Sequence, residues 1–209
     1  MSKLPLVTFV VGTRPEAIKL APVIRIFREC PDICTKVLLT GQHKELVEEV
    51  NNIFEIKEDY NLNLMKTVQS LTHITCASLQ GIREFFLQNP IDLLIVQGDT
   101  SSAFAACLAA FYEKVPVAHV EAGLRTDNIN DPFPEEVNRR LISQMATLHF
   151  APTERAMNNL NRSGILNNVF LTGNTVIDAL LYMVKRKKKS YFEDQIKNNN
   201  LDCCLLYTS

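Results

Sequence analysis

Short apolar runs and amphipathic segments alternate along the chain. The run over 4–11 is rich in β-branched residues and predicts a strand buried on both faces. A helical pattern follows Pro15, and Pro22 within it predicts a kink or a late start. The same period-based argument predicts strands over 37–40, 60–64, 91–97, 117–120, 148–151 and 169–171 and helices over 44–54, 71–89, 100–114, 154–163 and 176–189. The alternation predicts α/β architecture, a Rossmann-like open parallel sheet with helices on both faces.

Acidic residues follow the predicted strand ends. In such a sheet ligands bind beyond the carboxyl ends of the strands, where strand order reverses. If the strand over 4–11 lies beside the one over 91–97, Arg14 and Asp99 flank that crevice. Glu121 then lies one strand further along the same edge, and Glu135 and Glu136 begin the helix after Pro134. Acids gathered there suit proton-transfer chemistry.

Three of these four acids also have a structural interpretation, whereas Glu121 follows a strand end and cannot be a helix cap. Asp99 is a good candidate for a helix N-cap. Glu135 and Glu136 suit the positive end of their helix. If three carboxylates do share one edge, their repulsion raises the pKa of at least one of them. Nearby arginines are candidate ion-pair partners for these acids, namely Arg125, Arg139 and Arg140.

The segment from Gly12 to Lys19 joins a tight turn to a helix start. Free backbone N–H groups at such a position favour an anion. Arg14 can add a bidentate contact to phosphate or carboxylate, and Lys19 adds a second positive charge. The segment lacks the further glycines of a G-x-G-x-x-G fingerprint and the Gly-Lys-Ser/Thr end of a P-loop. It therefore argues against the dinucleotide binding and the ATP binding that those motifs provide. A purely structural turn with solvated charges is the alternative.

Composition narrows the choice of partners. The 209 residues carry a net charge of -1, so neither nucleic acid nor an anionic membrane surface is expected as a partner. No apolar run is long enough to cross a bilayer, so no membrane association is expected. The six cysteines form no C-x-x-C pair and no histidine pair has metal spacing, which predicts buried, reduced thiols in a cytoplasmic protein without a metal site. His119 shares a predicted strand face with Glu121 and is expected to be a packed or hydrogen-bonded histidine.

Several long motifs resemble those of the bacterial non-hydrolysing UDP-N-acetylglucosamine 2-epimerases, over about residues 7–181. They occur in the family's order: Gly12-Thr13-Arg14-Pro15-Glu16-Ala17-Ile18-Lys19-Leu20-Ala21-Pro22, Gln42-His43, Gly98-Asp99-Thr100, His119-Val120-Glu121-Ala122-Gly123-Leu124-Arg125-Thr126, Pro134-Glu135-Glu136-Val137-Asn138-Arg139 and Thr172-Gly173-Asn174-Thr175-Val176-Ile177-Asp178-Ala179.

The resemblance implies the N-terminal half of a two-domain GT-B-type fold. It implies interconversion of UDP-GlcNAc and UDP-ManNAc without a metal or nicotinamide cofactor, supplying ManNAc for cell-surface polysaccharide. In the family's chemistry the C2 proton is lost and UDP is eliminated in the anti sense, giving a 2-acetamidoglucal. UDP then adds back after a proton reaches the opposite face of C2.

The resemblance also implies roles for individual residues. Asp99, Glu121 and Glu135 match the family's catalytic carboxylates, with the division between acid and base left open. Arg14 and Lys19 match its substrate-binding cations. Gln42 and Glu136 match part of an allosteric UDP-GlcNAc site, although Glu45 stands where some members carry Gln. A homodimer is expected for the full-length parent.

The resemblance predicts a Rossmann-like epimerase domain over 1–185 and a truncated interdomain segment over 186–209. The end of that segment, 204–209, resembles the translation of a transposon-end adaptor and is expected to be non-native. The C-terminal UDP-binding domain is expected to be absent, so the chain alone is expected to be inactive. Two alternatives remain: a GT-B glycosyltransferase-like domain and a non-catalytic sugar-nucleotide-binding protein.

Overall fold

The computed structural model describes residues 4–41, 44–64, 70–126 and 128–186. Within these ranges strands and helices alternate from the first element to the last. The strands are β1 (Leu6–Val11), β2 (Cys34–Leu39), β3 (Tyr60–Asn61), β4 (Leu93–Gln97), β5 (Val117–Val120), β6 (Leu148–Ala151) and β7 (Val169–Leu171). The helices are α1 (Arg14–Glu29), α2 (Lys44–Phe54), α3 (Leu71–Gln88), α4 (Ser101–Tyr112), α5 (Glu135–Met145), α6 (Glu154–Arg162) and α7 (Thr175–Arg186).

The sheet confirms the predicted architecture. Its strand order is β3-β2-β1-β4-β5-β6-β7, and every pairing is parallel. β1 pairs with both β2 and β4, so strand order reverses between β1 and β4. β5 pairs with β4 on the other side, which brings the carboxyl ends of β1, β4 and β5 side by side.

Two hydrophobic layers enclose the sheet. Phe9 and Val11 of β1 pack with α1, α2 and α7 on one face. Leu6 and Val10 point the other way and pack with α3, α4 and α5. A smaller cluster holds α6, with Leu160 at its centre. β1 is buried along its whole length, as its continuous apolar run predicted.

Two predictions about individual residues are corrected. Helix α1 begins at Arg14 and continues through Pro22 to Glu29, so the late start is wrong. Burial is confirmed for Cys107, where it raises the pKa of the thiol to about 12. Cys34, the first residue of β2, and Cys76 of α3 are instead exposed. No helix among the described residues combines the length and the hydropathy that crossing a membrane requires.

Candidate active site

Three acidic side chains lie at the carboxyl edge of the central strands. Asp99 follows β4 by two residues, Glu121 follows β5 directly, and Glu135 begins α5. The negative charges of Glu135 and Glu121 both act on Asp99. As predicted, these three acids therefore lie near one another at one edge of the sheet.

Asp99 is not the helix cap that local sequence favoured. Thr100 caps α4 instead, since its side chain accepts a hydrogen bond from Ala103 N at 3.0 Å. The Asp99 carboxylate is therefore available for other contacts, and it pairs with the guanidinium of Arg139. The backbone carbonyl of Asp99 accepts a hydrogen bond from Asn138 Nδ2 at 2.9 Å.

The pKa of Asp99 is raised above its ordinary value. Burial is the largest cause, and the Arg139 guanidinium opposes it. The charges of Glu135 and Glu121 raise the pKa further. Carboxylate repulsion thus has the predicted sign, but burial contributes more than repulsion does.

Glu121 occupies an unusual backbone position. β5 ends at Val120, and Glu121 has a φ of +65°, in the left-handed region that few non-glycine residues adopt. The alternation of the strand therefore stops before Glu121, so the expected face shared with His119 is wrong. Nearby, Gly123 has a φ of +89°, and a Cβ there would lie 2.2 Å from the Ala156 carbonyl oxygen, so glycine is required.

The Glu121 carboxylate is held by three side chains from separate elements. Lys19 Nζ of α1 lies 2.7 Å from Oε1 and 2.6 Å from Oε2. Gln97 Nε2, at the end of β4, donates to Oε2, and Asn174 Nδ2 lies 3.5 Å from Oε1. This side chain is 11% exposed, so solvent screens the Lys19 ion pair only partly.

Glu135 and Glu136 are adjacent but have different environments. Glu136 is fully buried, and its carboxylate accepts hydrogen bonds from Arg140 Nε at 2.7 Å and Thr126 N at 3.0 Å. Arg139 Nη1 lies 3.3 Å from it. Glu135 is half-buried and has no hydrogen-bond or ion-pair partner among the described residues. Of the two, the Glu136 carboxylate is therefore the enclosed one, and the Glu135 carboxylate is the one left open to a ligand.

The turn before α1 does not offer the expected anion site on its backbone. Glu16 Oε2 accepts hydrogen bonds from Gly12 N and Thr13 N, each at 2.7 Å. Thr100 Oγ1 donates to the other carboxylate oxygen. The chain's own carboxylate thus fills the place expected for an external anion. A Cβ on Gly12 would lie 2.8 Å from Ser102 Cβ, so this turn and α4 pack too closely for any larger residue.

The two expected substrate-binding cations differ in their surroundings. Lys19 is engaged with Glu121, and its contact with a substrate stays a prediction. Arg14 is exposed and has no hydrogen-bond or ion-pair partner in the described part of the chain. It lines a cavity of about 240 Å³ together with Ile18, Phe54 and Met183 from three helices. Arg14 therefore remains available to bind an anionic ligand.

The strand histidines are internal, as predicted for His119. His119 Nε2 lies 2.7 Å from the Gly98 carbonyl oxygen, and burial lowers the pKa of His119 to about 4. His149 is its neighbour across the β5–β6 pairing, and burial lowers its pKa as well. Both rings are therefore neutral near pH 7.

Sequence reasoning assigned no role to four polar residues at this edge of the sheet: Glu16, Gln97, Asn138 and Asn174. Gln97 and Asn174 bond the Glu121 carboxylate, Asn138 bonds the Asp99 carbonyl, and Glu16 bonds the turn before α1. Gln97 ends an otherwise apolar strand, which is a detectable signal in the sequence. Asn138 follows Glu135 by three residues and so lies on the same helix face, a second detectable signal. The bonds that Glu16 accepts from Gly12 N and Thr13 N fit the capping-box pattern Thr13-x-x-Glu16, a third detectable signal. The bond from Thr100 to Glu16 and the contact of Asn174 with Glu121 depend instead on chain crossings that no local pattern encodes. Among the described residues, no group of three or more His, Cys, Asp or Glu side chains could hold a metal ion.

A parallel sheet with helices on both faces and with acids and cations at its switch point defines a Rossmann-like domain, in which ligands bind beyond the carboxyl ends of the strands. The family model for UDP-N-acetylglucosamine 2-epimerase matches residues 25–208. The chain therefore belongs to the UDP-N-acetylglucosamine 2-epimerase family, and the sequence-based resemblance is confirmed.

Curated relatives give the extent of the similarity. The chain is 51% identical over 181 residues to the UDP-N-acetylglucosamine 2-epimerase of Salmonella borreze, covering 86% of this chain and 48% of that protein. It is 48% identical over 189 residues to the enzyme of Neisseria meningitidis, covering 90% of this chain and 51% of that protein. The chain spans about half the length of the curated relatives it matches.

Solved structures agree with this assignment. The UDP-GlcNAc 2-epimerase of Neisseria meningitidis, bound to UDP-GlcNAc, superposes with a TM-score of 0.88 at 47% identity, over 93% of this chain and 53% of that one. The enzyme of Methanocaldococcus jannaschii, in complex with UDP-GlcNAc and UDP, gives 0.82 at 38% identity, over 94% and 54%. Acinetobacter baumannii MurG, at 11% identity and a TM-score of 0.53 over 72% of this chain and 42% of that one, shares the fold alone.

Proposed function

We propose that this chain is the N-terminal, acid-bearing half of a non-hydrolysing UDP-GlcNAc 2-epimerase. The substrate pair is UDP-GlcNAc and UDP-ManNAc. The observation that carries the proposal is the convergence of Asp99, Glu121 and Glu135 at the switch point, with Lys19 and Arg139 beside them. Family membership supplies the substrate class.

The proposed reaction proceeds by elimination and re-addition. A carboxylate removes the proton from C2 while the C1–O bond to the diphosphate breaks, giving 2-acetamidoglucal and UDP. A carboxylic acid on the opposite face then returns a proton to C2, and the diphosphate oxygen of UDP bonds again to C1. C2–H is a weak acid, so a positioned base and a good leaving group must act together.

The environments of the acids suit this chemistry. Lys19 and Gln97 hold the Glu121 carboxylate as a hydrogen-bond acceptor. Asp99, whose pKa is raised mainly by burial, is better suited to carrying a proton than an exposed aspartate is. We assign the diphosphate to Arg14, which is exposed, because negative charge develops there as the C1–O bond breaks.

Turnover in D₂O tests the proposal in the full-length parent. Incubation with UDP-GlcNAc is expected to form UDP-ManNAc and to place deuterium at C2 of both sugars. Conversion without deuterium at C2 would contradict proton transfer at that carbon. Transfer of the sugar to an acceptor would instead favour a glycosyltransferase, and unchanged UDP-GlcNAc would favour a binding protein.

The remaining proposals concern the parent protein. We propose a homodimer located in the cytoplasm, with a second domain that supplies most of the uridine contacts. The 209-residue chain alone is expected to show negligible turnover of UDP-GlcNAc, because a bound nucleotide sugar needs both walls of the cleft. Turnover by the isolated chain would contradict this division, and sedimentation of the parent measures its oligomeric state.

A further inference from the structure

Two side chains from other elements form hydrogen bonds with the backbone of the turn that carries Asp99. Gly98 has a φ of +71° and turns the chain from β4 toward α4. Its carbonyl oxygen lies 2.7 Å from His119 Nε2. The carbonyl oxygen of Asp99 lies 2.9 Å from Asn138 Nδ2. These two carbonyls belong to the two peptide groups that flank the Asp99 Cα.

Peptide groups are planar, so holding both of them fixes the direction of the Cα–Cβ bond between them. Gly98 N also donates to the Val120 carbonyl at 3.0 Å, which ties the start of the turn to β5. The carboxylate itself is paired with Arg139, the residue after Asn138 on α5. Main chain and side chain of Asp99 are thus held by neighbouring residues of one helix together with one strand.

The hydrogen positions follow from the acceptors. A carbonyl oxygen only accepts, so His119 Nε2 must carry the proton in this contact. His119 is fully buried and its pKa is lowered to about 4, so the neutral ring with this proton on Nε2 is the form present near pH 7. The Asn138 amide is oriented in the same way, with its nitrogen toward the Asp99 carbonyl.

We propose that His119 and Asn138 are positioning residues for Asp99. Neither touches the reacting atoms. Each acts by holding one peptide group beside Asp99, so that the carboxylate reaches C2 of the sugar in a fixed geometry. The inference rests on the proposed function, in which Asp99 takes part in proton transfer.

A matched pair of asparagines tests Asn138. Asn138 is 7% exposed and Asn89 is 8% exposed, and Asn89 Nδ2 also donates to a backbone carbonyl, that of Phe85, at 3.0 Å. Asn89 lies before β4, at the opposite end of that strand from Asp99. In the full-length parent both Asn138→Ala and Asn89→Ala are expected to lower the melting temperature. Only Asn138→Ala is expected to lower kcat, by about 100-fold, because misplacing a reacting group by about 1 Å costs that much.

A second set of variants tests His119. Gln in place of His119 keeps an amide nitrogen near the position of Nε2, whereas Leu removes the donor at similar volume. His119→Gln is expected to retain most of kcat, and His119→Leu to lose it with KM nearly unchanged. His149→Leu is the control, since His149 is a neighbouring buried histidine whose ring bonds the backbone at Ala146 instead.

The outcomes separate the two proposals. A wild-type parent without epimerase activity would overturn the proposed function and the inference with it. An active parent in which Asn138→Ala and Asn89→Ala reduce kcat equally, or in which only KM changes, would overturn the positioning role alone. If His119→Leu fails to fold, the Asn138 pair and His119→Gln still decide the question: undiminished kcat in Asn138→Ala, or a large loss in His119→Gln, contradicts the inference.

Discussion

Glu16, in the first turn of α1, and Glu121, directly after β5, lie on the same edge of the sheet, yet their surroundings differ. Glu16 is buried, and its carboxylate accepts hydrogen bonds from two backbone amides and from the Thr100 hydroxyl. Glu121 is partly open and is held by an ammonium group and two side-chain amides. The Glu16 carboxylate links the turn before α1 to the turn before α4, and the Glu121 carboxylate retains access to a ligand. Residue type and position along the edge do not distinguish these roles.

The backbone differs in the same direction. Glu16 occupies an ordinary helical position in the first turn of α1. Glu121 has the left-handed φ of +65°, a conformation that costs a non-glycine residue on the order of 1 kcal/mol or more. Gly123, seated against Ala156, keeps the following segment in place. Local strain thus coincides with the carboxylate that we assign to chemistry, and is absent at the carboxylate that we assign to structure.

The largest expected effect is the loss of activity when Glu121 is replaced. In the full-length parent, Glu121→Gln is expected to lower kcat by about 10²–10⁴-fold, because an amide cannot transfer the C2 proton. Glu154→Gln, an exposed acid at the start of α6, is the control and is expected to keep full activity. Initial rates of UDP-ManNAc formation measure both variants. An active Glu121→Gln protein would remove Glu121 from the proposed chemistry.

The second effect is a loss of folding stability when Glu16 is replaced. Glu16→Ala leaves the buried amide of Gly12 and the part-buried amide of Thr13 without their acceptor, and each such group costs roughly 1–3 kcal/mol. The free energy of unfolding is therefore expected to fall by roughly 2–6 kcal/mol in urea titrations followed by circular dichroism. Glu29→Ala, at an exposed position of the same helix, is expected to change it by less than about 0.5 kcal/mol. Equal effects of the two variants would show that Glu16 has no structural role.

The smallest effect is a pH dependence. Burial raises the pKa of Glu16 above its ordinary value of 4.5, so the folded chain keeps this proton to a higher pH than the unfolded chain does. The folded state is therefore penalised as pH rises through the raised pKa. Glu16→Gln cannot ionise and escapes that penalty.

The measurement for this pH dependence is the free energy of unfolding of Glu16→Gln minus that of the wild type, across a pH series. The difference is expected to increase with pH above about 4.5. A difference that stays constant or decreases would show that the amide and hydroxyl donors around Glu16 outweigh its burial.

The order of elements and the sheet edge of the site were predictable from the sequence. Continuous apolar runs marked strands buried on both faces, and the acids after 91–97 and 117–120 followed from where those runs stop. Local propensity failed at Asp99, where Thr100 is the cap, because both residues are good caps and only the turn geometry selects one. The expectation of free amides at Gly12 and Thr13 was wrong, and here a local signal was present, because the capping-box pattern Thr13-x-x-Glu16 provides their acceptor.

The sequence by itself determined the alternation of strands and helices, the family, and the presence of acids beyond the strand ends. These follow from local periodicity and from motifs that are continuous in the chain. Two donors to Glu16 are local, but only the tertiary structure decided which acid is enclosed and which is open, because the remaining partners come from distant segments. Lys19 and Glu121 are 102 positions apart, and Thr100 and Glu16 are 84 apart. The environment of a carboxylate depends on these crossings, and no local pattern of hydrophobic and polar residues records them.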